Sequence, residues 1–100
     1  MITRAKRDFK DRLYAEFARI GKALASPHRL EVLEVLAQGE RTVESLATET
    51  GLSVANASRH LQQLRQAQLV LARRDGLFVH YQLAGPEVIS LVLALRHVGE

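Results

Sequence analysis

Cysteine is missing from the chain. Its absence excludes a disulfide framework, a thiolate metal site, a thiol redox switch and a cysteine nucleophile on these residues. No stretch approaches the roughly 18 uninterrupted apolar residues that a membrane span needs. The N-terminus is charged rather than apolar, so a cytoplasmic chain with no membrane partner is expected. Internal repeats and low-complexity tracts are lacking. Paired carboxylates in a cleft-like segment and a glycine-rich phosphate loop are lacking too, so neither enzyme activity nor a cofactor is expected. Acidic residues are absent from one long segment: between Ser53 and Arg74 stand Arg59, Arg65, Arg73 and Arg74, with no aspartate or glutamate.

What is present fits one small domain over residues 1–100, with residues 1–7 as a flexible basic N-terminus. A short chain buries a smaller share of its surface than a long one, which favours self-association. The formal net charge of +3 is too modest to name a partner, but it is unevenly spread. From Ser26 to Leu52 two arginines face five glutamates, whereas the N-terminal dozen and the Ser53 to Arg74 segment are basic. A basic stripe confined to particular segments is the footprint expected of a polyanion-binding surface.

Apolar spacing predicts a first helix from about Asp8 to Ala25, with Leu13, Phe17, Ile20 and Leu24 on one face and Tyr14 beside them. Ser26-Pro27 is an N-cap followed by proline at the first helical position, opening a second helix with Leu30, Leu33 and Leu36 inward. Thr42 caps a short helix holding Val43, Leu46 and Ala47, which ends at Gly51, where a tight turn needs positive φ. Ser53 caps the next helix. Its Ala57, Leu61 and Leu64 point to a core, and Asn56, Ser58, Arg59, Gln62 and Gln63 form a polar face. An apolar run from Leu69 to Ala72, then Arg73-Arg74, then Asp75-Gly76 and Leu77 to Leu83 predict a hairpin, with Asp-Gly as a type I′ turn. Leu77, Val79, Tyr81 and Leu83 share one strand face, and Phe78, His80 and Gln82 the other. Gly85-Pro86 starts a last helix carrying Val88, Leu91, Val92 and Leu95.

The expected fold is therefore α+β, mainly α: a winged helix-turn-helix in the order helix, helix, short helix, turn, helix, hairpin, helix. The major groove of B-form DNA admits one helix, so the first turns of the helix after Gly51 can reach base edges, and its N-terminus suits a phosphate. The residues expected at double-stranded DNA are Ser53, Val54, Asn56, Ser58, Arg59, His60, Gln62 and Gln63, with Arg73 and Arg74 on the wing. His60 stands between phosphate contact and packing, and Val54 leans to packing. His28 and His80 are expected at the surface, and Tyr81 inward. Leu13, Tyr14, Phe17 and Ile20 with Val88, Leu91, Val92 and Leu95 form apolar stripes that a core this small need not consume, as a homodimer seam would require.

The segments Ala23-Leu24-Ala25-Ser26-Pro27-His28-Arg29-Leu30, Gly51-Leu52-Ser53, Ser58-Arg59-His60-Leu61, Arg73-Arg74-Asp75-Gly76 and Tyr81-Gln82-Leu83 resemble the ArsR/SmtB family of bacterial winged-helix repressors. The resemblance implies a homodimer joined through the first and last helices, an inverted-repeat operator, and repression relieved by an inducer. Many members sense thiophilic metals through a cysteine pair where this chain has Arg41-Thr42-Val43-Glu44-Ser45. Others use four oxygen and nitrogen donors on the dimer helices. Here His97 and Glu100 stand three apart, but Ala84 and Pro86 occupy the earlier donor positions, so no metal site is expected. The stretch from Lys10 to Ala47 is similar to the regulatory half of proteins that fuse this domain to a rhodanese-type sulfurtransferase. That implies a small-molecule or sulfur-species inducer. The expected function is a sequence-specific DNA-binding regulator that represses transcription. The DNA-binding portion of a sulfurtransferase fusion and a winged-helix protein-interaction module are the alternatives.

Overall fold

The computed structural model describes residues 2–100. Five helices and a small sheet follow one another as α1 (Arg4–Leu24), α2 (Pro27–Gln38), β1 (Arg41–Thr42), α3 (Val43–Thr50), α4 (Val54–Gln66), β2 (Val70–Asp75), β3 (Phe78–Leu83) and α5 (Pro86–Gly99). The sheet is antiparallel with β3 in the centre, between β1 and β2. This is the expected winged helix-turn-helix, with one strand more than the sequence suggested.

Capping sets most of the boundaries. The side chains of Thr3, Ser26, Thr42 and Ser53 each accept a hydrogen bond from the backbone N–H three residues on, satisfying a donor that the helix start leaves free. Because Thr3 caps α1, the helix begins at Arg4. Residues 4–7, expected to be a flexible arm, are helical; Arg4, Lys6 and Arg7 hide the helix from a search for apolar periodicity.

The core gathers Val32, Leu33 and Leu36 of α2, Leu46 of α3, Leu61 and Leu64 of α4, Val70, Tyr81 and Leu83 of the sheet and Val92 of α5. Leu33, Leu46, Leu61 and Leu64 are fully buried, and truncating any one to alanine is worth about 2–5 kcal/mol. Tyr81 faces inward, as expected. Helix α1 contributes little: among the described residues of α1 none is buried, and it touches the core through Ile20, Ala23 and Leu24 near its C-terminal end.

Two turns around α4 are built alike. At the end of α3 the N–H groups of Gly51 and Leu52 donate to Thr48 and Ala47, and Gly51 has φ of 71°. After α4 the N–H groups of Gln68 and Leu69 donate to Arg65 and Leu64, and Gln68 has φ of 62°. Both are helix stops with a left-handed residue, a conformation that glycine adopts freely and glutamine does not.

The hairpin corrects the expected turn. Asp75 pairs with Phe78, so the two central residues are Gly76 and Leu77, not Asp75 and Gly76. Gly76 has φ of 62°, and Leu77 is not among the residues with positive φ. That is the pattern of a type II′ turn, which needs glycine only at its first central position. Leu77 thereby leaves the strand face it was assigned to and stands at the tip.

Candidate nucleic-acid interface

The outward face of α4 is built by its register. With Ala57, Leu61 and Leu64 held in the core, the intervening positions Val54, Asn56, Arg59, Gln62 and Gln63 are exposed and Ser58 is half-buried. Ser53 Oγ accepts from the Asn56 N–H at 3.0 Å, fixing the first turn. Asn56 Oδ1 then accepts from Arg59 Nη2 at 2.9 Å. These two side chains thus form one polar unit near the start of the helix. Val54 remains half exposed rather than packed, so an apolar contact point sits beside the polar unit.

Of the expected members of this face, His60 turns toward the protein and the exposed Gln63 is tied to α2. His60 Nδ1 is buried with no hydrogen-bond partner among the described residues, and its ring lies 5.6 Å from that of His28 at the start of α2. Desolvation, reinforced by the charges of Arg29, His28 and Arg59, holds the His60 pKa below the ordinary imidazole value. Packing is therefore the role its Nδ1 edge shows. Gln63 Oε1 accepts from Arg29 Nη1, so its carbonyl is committed to joining α2 with α4.

That link borders a cleft of about 390 Å³ among α1, α2 and α4, lined by Arg19, Lys22, Arg29, Gln63 and Gln66. Its guanidinium groups are occupied. Arg29 donates to the carbonyls of Ala23 and Lys22, and Arg19 to the carbonyl of Gln66 and to Glu16. Cations at helix C-termini satisfy the carbonyls that the helix leaves free, so both guanidinium groups serve as caps.

The wing separates its two arginines. Ladder pairs place Arg74 opposite Val79 and Arg73 opposite His80, so the two guanidinium groups leave opposite faces of the hairpin. Glu40 lies just before β1, and its Oε1 accepts from Arg73 Nη2 at 2.5 Å and meets His80 Nδ1 at 3.1 Å. Arg73 also lies 3.7 Å from Asp75. Arg74 has no acidic partner among the described residues. Sequence reasoning treated the arginines as a pair; the strand β1, too short to show a pattern, is what brings Glu40 to one of them.

The expected dimer residues divide. Tyr14 and Phe17 are more than half exposed and meet edge to face, and Leu95 is exposed. Leu13, Ile20, Val88 and Leu91 are half-buried, and Ile20 and Val88 lean on the core. Val92 is a correction: at 4% exposure it belongs to the core of its own chain, because α5 turns that side toward α2. On α1 and α5 the exposed large apolar residues outside the expected set are Phe9, Ile89, Leu93 and Val98. Phe9 lies one helical repeat from Leu13 and was within reach of the same periodicity argument.

At the end of α5, Glu100 accepts from Arg96, which also pairs with Glu34 and whose pKa is raised by both. The Glu100 carboxylate is thereby engaged by Arg96. No group of three or more potential metal ligands occurs among the described residues, and no described helix is long and apolar enough to cross a membrane.

Residues 26–71 match the family described as bacterial regulatory protein, arsR family. The chain is 45% identical over 93 residues to the HTH-type transcriptional regulator Rv0324 of Mycobacterium tuberculosis, an alignment covering 93% of this chain but 41% of that protein. It thus spans less than half the length of that relative. Over 87 residues it is 40% identical to the HTH-type transcriptional regulator Rv0081 of the same organism, covering 86% of this chain and 76% of that one. Among solved structures, the homodimeric winged helix-turn-helix DNA-binding domain Mb0332 of Mycobacterium bovis, a possible ArsR-family transcriptional regulator, superposes with a TM-score of 0.87. That match is at 46% identity, over 92% of this chain and 85% of that one.

Proposed function

Since the chain belongs to the arsR family of bacterial regulatory proteins, we propose that it is a DNA-binding transcriptional regulator that represses by occupying an inverted-repeat operator as a homodimer. The observation that carries this reading is the outward face of α4, where Asn56 and Arg59 form a capped, acid-free polar unit with Val54 beside it. A guanidinium held in this way suits the paired acceptors on a guanine edge, and the valine suits a thymine methyl. Arg74 on the wing holds the neighbouring backbone.

The homodimer reading is supported by α1. A helix buries one face to be stable, yet Phe9, Tyr14 and Phe17 lie exposed along its outer length. Leu93 and Leu95 do the same on α5. A second copy covers both, and two-fold symmetry then sets two α4 helices one turn of DNA apart, about 34 Å.

Footprinting on the chain's own upstream region tests the reading. The expected result is a protected inverted repeat, preferred over random DNA at moderate salt and losing affinity steeply as salt rises. Equal affinity for random DNA defeats it. Sedimentation of Phe17→Glu tests the dimer: the variant is expected to be monomeric and to lose the two-half-site footprint.

A further inference from the structure

The tip of the hairpin carries apolar side chains that the fold does not use. A type II′ turn requires glycine at its first central position, supplied by Gly76, and has no need of an apolar residue at its second. Leu77 fills that second place with 97% of its surface exposed, and Phe78 beside it is 53% exposed. Neither packs against the core. A single exposed leucine is ordinary on a protein surface. Here two apolar side chains follow one another at the end of the hairpin, Leu77 in the turn three residues from Arg74 and Phe78 on the face opposite to Arg74. The acid at the tip, Asp75, is drawn to Arg73. The tip thus presents a hydrophobic point beside an uncommitted cation.

That combination fits a partner with phosphates on either side of stacked apolar surface, which is the minor groove of duplex DNA. We propose that Leu77 is a wedge that enters the minor groove and partly unstacks one base step beside each half-site, with Arg74 on the adjoining phosphate. The proposal rests on the DNA-binding reading above and adds a second source of specificity to it. Unstacking is least costly at pyrimidine–purine steps, so the wing selects TA or CA/TG steps without a hydrogen bond to any base.

The test uses duplexes that the protein itself enriches from a randomised pool, with the fluorescent base 2-aminopurine substituted at each step under the wing. Binding is expected to raise its emission several-fold at one step per half-site. Leu77→Ser, a substitution that the exposed turn tolerates, is expected to abolish the rise and to lower affinity about tenfold for duplexes with a flexible step there. Leu77→Phe is expected to keep both. Specific binding with no rise at any step, or an unchanged rise with Leu77→Ser, overturns the wedge and leaves the DNA-binding reading standing. That is also the result expected if the tip docks on a protein. If no sequence is enriched, the DNA-binding reading itself falls, and the wedge with it.

Discussion

Arg59 donates to the side-chain oxygen of Asn56 three residues earlier on the same exposed helix face, at 2.9 Å. The contact divides labour between two residues that a sequence motif would treat as equals. The Asn56 oxygen is spent on holding the guanidinium, and the Arg59 donors that remain point outward already oriented. Arg59→Ala is expected to cost about 1–3 kcal/mol of operator affinity and to relax one base position. Asn56→Ala should act through Arg59, so the double variant should be little worse than Arg59→Ala. A double-mutant cycle on operator binding measures this, and additive losses would show that the two residues act independently.

The wing arginines should also separate in solution. Arg74→Ala is expected to reduce the salt dependence of binding by about one phosphate contact, at every sequence alike. Arg73→Ala should do less, because Glu40 and Asp75 already compensate its charge. Glu40→Gln should release Arg73 and strengthen non-specific binding. Equal salt slopes for the two arginine variants would refute the assignment.

His60 makes stability depend on pH. Its pKa is lowered in the folded chain, chiefly by burial, so the unfolded chain binds more protons. Stability is then fully present above the ordinary imidazole value of about 6.5 and declines as pH falls through the folded-state value. Thermal unfolding should show this decline in the wild type and a flatter profile in His60→Gln. A profile that is unchanged by the substitution would assign the acid sensitivity to another group.

The paired helix stops offer a reciprocal experiment. Gly51→Ala introduces a Cβ that meets nothing within 4 Å but keeps φ of 71°, so its cost is conformational, about 1 kcal/mol. Gln68→Gly relieves the same conformation and is expected to stabilise by about 0.5–1 kcal/mol, less than the full strain because glycine also loosens the unfolded chain. Denaturant unfolding compares the two, and the same sign for both would be inconsistent with the backbone argument.

Local chemistry made much of this fold readable in advance. Ser26, Thr42 and Ser53 announced helix starts, Gly51 a stop, and the spacing of Ala57, Leu61 and Leu64 the inner face of α4. What escaped were features set by distant parts of the chain. Strand β1 is two residues long and exists only because β3 pairs with it. The pairing of β1 with β3 brings Glu40 to Arg73, an ion pair that no local pattern announces, and Val92, expected at the dimer seam, lies in the core of its own chain. The turn register moved by one residue because Asp75 had a strand partner in Phe78. At the interface, the α4 face was legible from register, whereas the inward turn of His60 depended on His28 across the α2–α4 contact.

Helix α1 has a further consequence. Its outer turns hold apolar side chains and bury none of them within the chain; on the dimer reading proposed above, a second copy is what covers them. The concentration of assembled regulator then follows the square of the free chain at low abundance. On that reading, occupancy of the proposed operator responds more steeply than in proportion to synthesis, and a modest change in expression acts as a switch.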